Sequence, residues 1–183
     1  GCMESKSKQY QKYDQLFKTQ QQLCAAEQLA EDYYTYLSSS YLSDKGQRFY
    51  LAEKAGEYWE AVSTLMTEYH SSRLHFLGHL LHVFHYSFRG DYQGAAVANE
   101  RAVRHFEQTE GGQSSHLGPF LNHQLACYIR LKNLKAGAAL IQKLDQKVKP
   151  GSFDWFVHQQ LYFLLAMHSQ HYELGRQILR RVT

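Results

Sequence analysis

"YSFRGDYQGAAVANERAV", Tyr86–Val103, decides how the rest of the chain is read. A run rich in aromatics closes at Phe88. Gly90 and Asp91 then mark a turn. Beyond the turn come Ala95, Ala96, Ala98 and Ala102. The spacing predicts two helices folded back on each other, with small residues where they must approach. Alanine is also simply a good helix former. The packing reading gains weight because the offset recurs elsewhere.

"YIRLKNLKAGAALIQKL" starts at Tyr128 and "AMHSQHYELGRQILRRV" starts at Ala166, so the three stretches are separated by 42 and 38 residues. Six residues into each stand Tyr92, Leu134 and Tyr172. Three further on stand Ala95, Gly137 and Gly175, and four beyond those Asn99, Ile141 and Leu179. A large residue, a small residue and a further core position thus repeat at fixed offsets from a turn. Self-similarity at such a period is the signature of a repeat architecture.

The rest of the chain also reads as helix. Only two prolines interrupt 183 residues, and proline is the strongest helix breaker. Tyr13, Phe17, Cys24, Tyr34, Leu37 and Tyr41 recur at helical spacing over 10–42. "SDKG" at 43–46 offers a cap and turn. Phe49, Ala52, Ala55, Trp59, Val62, Met66 and Tyr69 form the next stripe. Further helices are expected over 74–88, from the turn to 108, over 116–131, 134–147, from 152–154 to 168, and from 172 to the end. "EGGQSS" (110–115) and "KPGSFD" (149–154) are the strongest breaks. Pro119 is tolerable only in a first turn. No segment alternates with period two long enough to be a strand.

These segments resemble tetratricopeptide repeats, on Tyr86, Gly90, Tyr92, Ala95 and Ala102 in one unit. Leu121, Leu125, Tyr128, Leu134 and Gly137 carry it in the next, and Phe163, Tyr172, Gly175 and Leu179 in the last. The chain departs from the family pattern at His79, His82, Val83 and Asn99, and Pro150 falls one residue past the closing-proline place. The repeat spacing exceeds the family's roughly 34 residues, which predicts longer helices or longer loops between units. The resemblance implies an all-α, right-handed superhelix of about eight helices. Residues 1–9 would be a disordered or added N-terminus, 10–72 a divergent helix pair, and 73–183 three pairs at about 74–109, 114–148 and 152–183.

What the resemblance implies for function is a groove that holds a protein or peptide partner, without catalysis or cofactor. Its partner-facing residues would be Leu77, Leu80, Phe84 and Phe88, then His123 and Gln124. A helical wheel of 74–88 places the same apolar residues opposite His79 and His82; a helix apolar on most sides is usually buried, so both faces could pack. A clamp for a peptide carboxylate is not expected, since Asn122 and Arg130 are among the few suitable donors. The second reading is a regulatory or sensory segment of a larger bacterial protein, packed against its own chain. Ile178, Leu179 and Val182 on the last helix would stay partly open and favour a homodimer.

Several side chains carry chemistry of their own. His75, His79 and His82 lie at i, i+4 and i+7, and an i, i+4 histidine pair can chelate zinc. No acidic or thiol ligand stands beside them, and packed neutral imidazoles are the simpler reading. His123 lies one turn from Cys127, a Cys–His couple lacking an orienting residue in sequence. Glu31–Asp32 and Glu57/Glu60 sit in polar helix context. "RGD" at 89–91 falls where the repeat turn belongs. Lys143, Lys147, Lys149, Arg176, Arg180 and Arg181 could touch nucleic acid, but a net charge of +3 is small for that role. The C-terminal arginines also suit a helix end. Three scattered cysteines are neither a disulfide framework nor a zinc pattern, which points to a reducing, cytoplasmic setting. No run of 18 apolar residues is present to span a membrane.

Overall fold

The computed structural model describes residues 2–112 and 114–183, with side chains from residue 8 onward. The described residues form eight α-helices and one short 3-10 turn, without a strand. They divide into two compact units, Gly1–Leu81 and His82–Thr183, with the boundary inside a helix.

The first unit holds α1 (Cys2–Ser43), the 3-10 turn Lys45–Gln47, α2 (Arg48–Glu68) and the first half of α3 (Ser72–Arg89). The α1 helix begins at Cys2, and Gly1 lies outside the described residues. Methionine, glutamate, lysine and glutamine there are helix formers, and no breaker intervenes. Asp44 accepts from the Gly46 N–H at 2.8 Å and makes the expected turn.

The expected α1 stripe holds in its second half, where Leu37 is buried and Tyr34 and Tyr41 are half-buried; Tyr13, Phe17 and Cys24 are exposed, and Ala26 and Ala30 are buried instead. Alanines on α1 permit close approach of α2, which packs against it and buries Leu51, Ala52, Ala55, Val62 and Met66. Phe49, counted in the α2 stripe, is exposed. Tyr33 stacks on Tyr58 with centroids 3.8 Å apart. Gly78 lets α3 lie against α2: a Cβ there would come within 2.4 Å of Met66 Sδ.

The second unit contains the rest of α3, then α4 (Tyr92–Thr109), α5 (Leu117–Arg130), α6 (Leu134–Asp145), α7 (Phe153–His168) and α8 (Tyr172–Val182). The α5 helix packs against α4, α6 and α7, and α7 packs against α6 and α8. Three turns repeat one hydrogen-bond scheme. Asp91 N–H donates to Tyr86 C=O, Asn133 to Tyr128 and His171 to Ala166, at 3.0, 2.9 and 2.8 Å. Gly90, Lys132 and Gln170 occupy the left-handed position, with φ of 77°, 56° and 60°. This is the six-to-one bond and αL residue of a Schellman motif. Asp91 and Asn133 then cap the following helices by accepting from the Gly94 and Ala136 N–H groups; His171 makes no such bond. The RGD tripeptide is thus a helix end and cap.

Ala95 and Ala102 are fully buried, and Gly137 and Gly175 are buried. Tyr86, Tyr92 and Tyr128 pack around Ala95, Ala96 and Cys127, and Leu134 is half-buried. Tyr172 departs from this role and is exposed. The Arg130 guanidinium covers the equivalent Tyr92, 5.8 Å from its ring centroid. The extra repeat length lies both in the 18-residue helices α3 and α4 and in the loops 110–116 and 146–152.

Gly94 is a position the repeat comparison does not single out. A Cβ there would lie 2.4 Å from Tyr86 Cδ1 and 2.6 Å from Asp91 Oδ2. Gly94→Ala therefore disturbs the capping carboxylate and the tyrosine over the turn together. A lost cap costs about 1 kcal/mol and overpacking about 1–3 kcal/mol, against a propensity gain of about 1 kcal/mol. The expected net loss is about 1–3 kcal/mol, read as a lower urea midpoint; an unchanged or raised midpoint would show that the turn yields freely.

Candidate functional site

An open groove of about 280 Å³ runs between α5 and α7. Its α5 wall is Pro119, Asn122, His123 and Ala126, spaced so that all four share one helical face. Its α7 wall is Phe153, Asp154, Val157 and Leu161. Pro119 sits in the first turn of α5, where its missing N–H costs nothing. Ser152 caps α7 by accepting from the Trp155 N–H at 3.2 Å. The walls are tied together by Asn122, whose Nδ2 donates to the Asp154 carbonyl at 3.1 Å. Gly118 leaves room on α5 for the Asp154 carboxylate, which would lie 3.2 Å from a Cβ there. Burial raises the Asp154 pKa above the usual carboxylate value.

Behind the groove His123 joins a polar cluster. Asn99 Nδ2 donates to the Ala95 carbonyl at 2.8 Å and faces His123 Nδ1 at 2.9 Å. Because Nδ1 is thereby an acceptor, His123 carries its proton on Nε2, which meets Ser87 Oγ at 3.4 Å. Burial holds the imidazole below its ordinary pKa. In this tautomer His123 donates toward Ser87 and does not act as base to its hydroxyl. Cys127 Sγ lies 3.8 Å from the same Nδ1, but burial pushes its pKa up to about 11. Asn99 is the orienting residue that the sequence did not reveal for this Cys–His couple. The thiol is nonetheless held protonated, the opposite of an activated nucleophile.

The other predicted positions separate. Leu77 and Phe88 are each 6% exposed and Gln124 5%, so these three face the interior and are corrected as partner-facing residues. Gln124 donates to Tyr128 Oη at 2.9 Å, and Tyr128 Oη donates to Glu100 at 3.0 Å. Leu80 and Phe84 are half-buried, with Phe84 stacked on Phe88 at 4.9 Å. The α3 helix is packed on both its apolar and its histidine sides, since His79 and His82 are buried as well. His75 lies against the backbone of Met66 and Tyr69, His79 against the Trp59 ring and His82 edge-on to Tyr86. Ile178 is buried, leaving Leu179 and Val182 partly open beside Phe156 and Phe163. Lys143 pairs with Glu107, Arg176 with Glu173, and Lys147 donates to the Gly112 carbonyl, so half of the basic set is already engaged.

Buried histidines set a pH dependence. His82 is pushed down to about 4 by burial, then by Arg101 and His85, and burial lowers His123 and His75. Below about pH 6.5 the unfolded chain binds protons that the folded chain refuses, so stability falls with pH. Asp154 acts in the opposite direction within the carboxylate range, because its folded-state pKa is raised. The melting temperature is expected to drop from pH 7 to 4.5, and His82→Gln to flatten the drop. An identical pH slope in that variant would assign the loss elsewhere.

Compared with family models, curated proteins and solved structures, the chain matches none. No helix among the described residues is long and apolar enough to cross a membrane.

Proposed function

We propose that this chain is a tetratricopeptide-like repeat module, a right-handed α-α superhelix of helix pairs, acting as a non-catalytic adaptor for a protein partner. The observation that carries this reading is the groove between α5 and α7. In a stack of helix pairs the first helices of successive pairs line one face, and such faces hold extended or helical segments. The α5 and α7 helices are those first helices, and the thrice-repeated turn at 86–95, 128–137 and 166–175 supports the assignment. The groove is mostly apolar, with few polar groups converging on it, the usual composition of a recognition site. A cytoplasmic setting belongs to the same proposal, resting on the unpaired cysteines.

The open patch of Phe156, Phe163, Leu179 and Val182 favours one further reading. There the outer side of α7 and α8 packs against another part of a longer chain or a second copy, and the module is regulatory.

The test is affinity capture with the native chain and a Phe153→Ala/Val157→Ala variant. Phe153 is 81% exposed, so its truncation leaves the fold intact. The expected result is a protein retained by the native chain and lost by the variant. Identical captures would move the binding surface away from this groove.

A further inference from the structure

We propose that the groove between α5 and α7 selects partner segments in which a lysine or arginine stands among apolar residues, the cation seated on the carboxylate of Asp154. This rests on the groove being the binding surface. The argument is charge complementarity. The groove walls carry two ionisable side chains, His123 and Asp154. His123 is already committed to Asn99 and Ser87, and its buried ring resists taking a charge. Asp154 is thus the one charge the groove presents, and no cation among the described residues pairs with it.

Asn122 beside it is 4% exposed and turned inward, its Nδ2 donating to the Asp154 carbonyl. The Asp154 carboxylate is therefore the acceptor that the groove presents to a partner. A segment that fills the apolar walls removes water from Asp154, and a half-buried carboxylate without a partner is costly. A partner carboxylate meets repulsion there, and a neutral apolar segment leaves the charge uncompensated. A basic residue supplies what the site lacks, while Phe153, Val157, Ala126 and Leu161 take its apolar neighbours. Arginine and lysine both have apolar stems suited to such walls.

The experiment selects a phage-displayed library of random short peptides against three forms of the full chain: native, Asp154→Asn, and Phe153→Ala/Val157→Ala. Asp154→Asn keeps the backbone carbonyl that Asn122 uses. Peptides enriched on the native chain should carry lysine or arginine flanked by apolar residues. A synthesised winner should bind Asp154→Asn about tenfold or more weakly, the loss typical of truncating a desolvated charge pair. Replacing its basic residue with methionine should cause a similar loss on the native chain and little further loss on Asp154→Asn. If winners depend on Phe153 and Val157 yet lack a basic residue, or bind Asp154→Asn equally, cation selection is overturned and the groove reading stands. If no winner depends on Phe153 and Val157, the groove reading falls and this inference with it.

Discussion

Replacing Phe106 with alanine is expected to remove about 3–5 kcal/mol of stability from the second unit. Phe106 is fully buried near the end of α4. Its ring lies 5.9 Å from that of Phe120 and 4.9 Å from His116, so it joins the end of α4 to the start of α5. Truncation leaves a cavity that Phe120 and Leu121, both fully buried, cannot close without moving α5. A domain of this size has a total stability of about 5–15 kcal/mol. The loss is therefore a large share of the whole, and the urea midpoint of the second unit should fall markedly. The chain has two tryptophans, Trp59 in the first unit and Trp155 in the second. In a Trp59→Phe background, Trp155 fluorescence during urea unfolding reports the second unit alone. A loss below about 1 kcal/mol would mean that the α4–α5 contact is far looser than the buried rings indicate.

The second large effect is expected at Gly137. A Cβ there would stand 3.0 Å from Leu165 Cδ1 and 3.5 Å from Leu125 Cδ1, with α6 held between α5 and α7. Gly137→Ala asks one flexible leucine end to give way by a few tenths of an ångström. A helix-propensity gain of about 1 kcal/mol offsets that strain, and the net change is small. Gly137→Leu has no such escape, because Leu165 and Leu125 already fill the space. Overpacking of this kind costs about 1–3 kcal/mol and would spread α6 from its neighbours. Paired urea curves of the two variants make the test. If leucine proves as mild as alanine, the small residue is a matter of propensity and not of helix approach.

Helix existence and turn position were legible because both depend on residues close together in the chain. Gly90 at a left-handed φ, the Asp91 and Asn133 caps and the Schellman bonds span fewer than ten residues each. The offset from Tyr86 to Ala95, repeated at Tyr128 and Ala166, is likewise a local pattern. The same logic explains two misses. The stripe through Tyr13 and Phe17 has helical period, but period does not say whether another helix lies on that side. The α7 sequence "FDWFVHQQLYFLLAMH" is apolar almost all round, so no face of it stood out as a groove wall. Phe153, Val157 and Leu161 were missed for that reason. Their best signal was indirect: Pro119, Asn122, His123 and Ala126 already marked one face of α5.

The sequence by itself determined an all-helical chain, the places of its turns and the small residues at Ala95, Gly137 and Gly175. Only the tertiary structure decided which apolar residues are core and which are surface. Leu77, Phe88 and Gln124 are interior, Tyr13 and Phe17 are exposed, and His123 reaches a groove whose other wall lies on α7. The physical reason is one of range. Backbone hydrogen bonds and caps are satisfied within a turn or two of the chain, so neighbouring residues specify them. Burial and the pairing of charges such as Asp154 are set by residues thirty or more positions away, and no local pattern encodes which helix will arrive there.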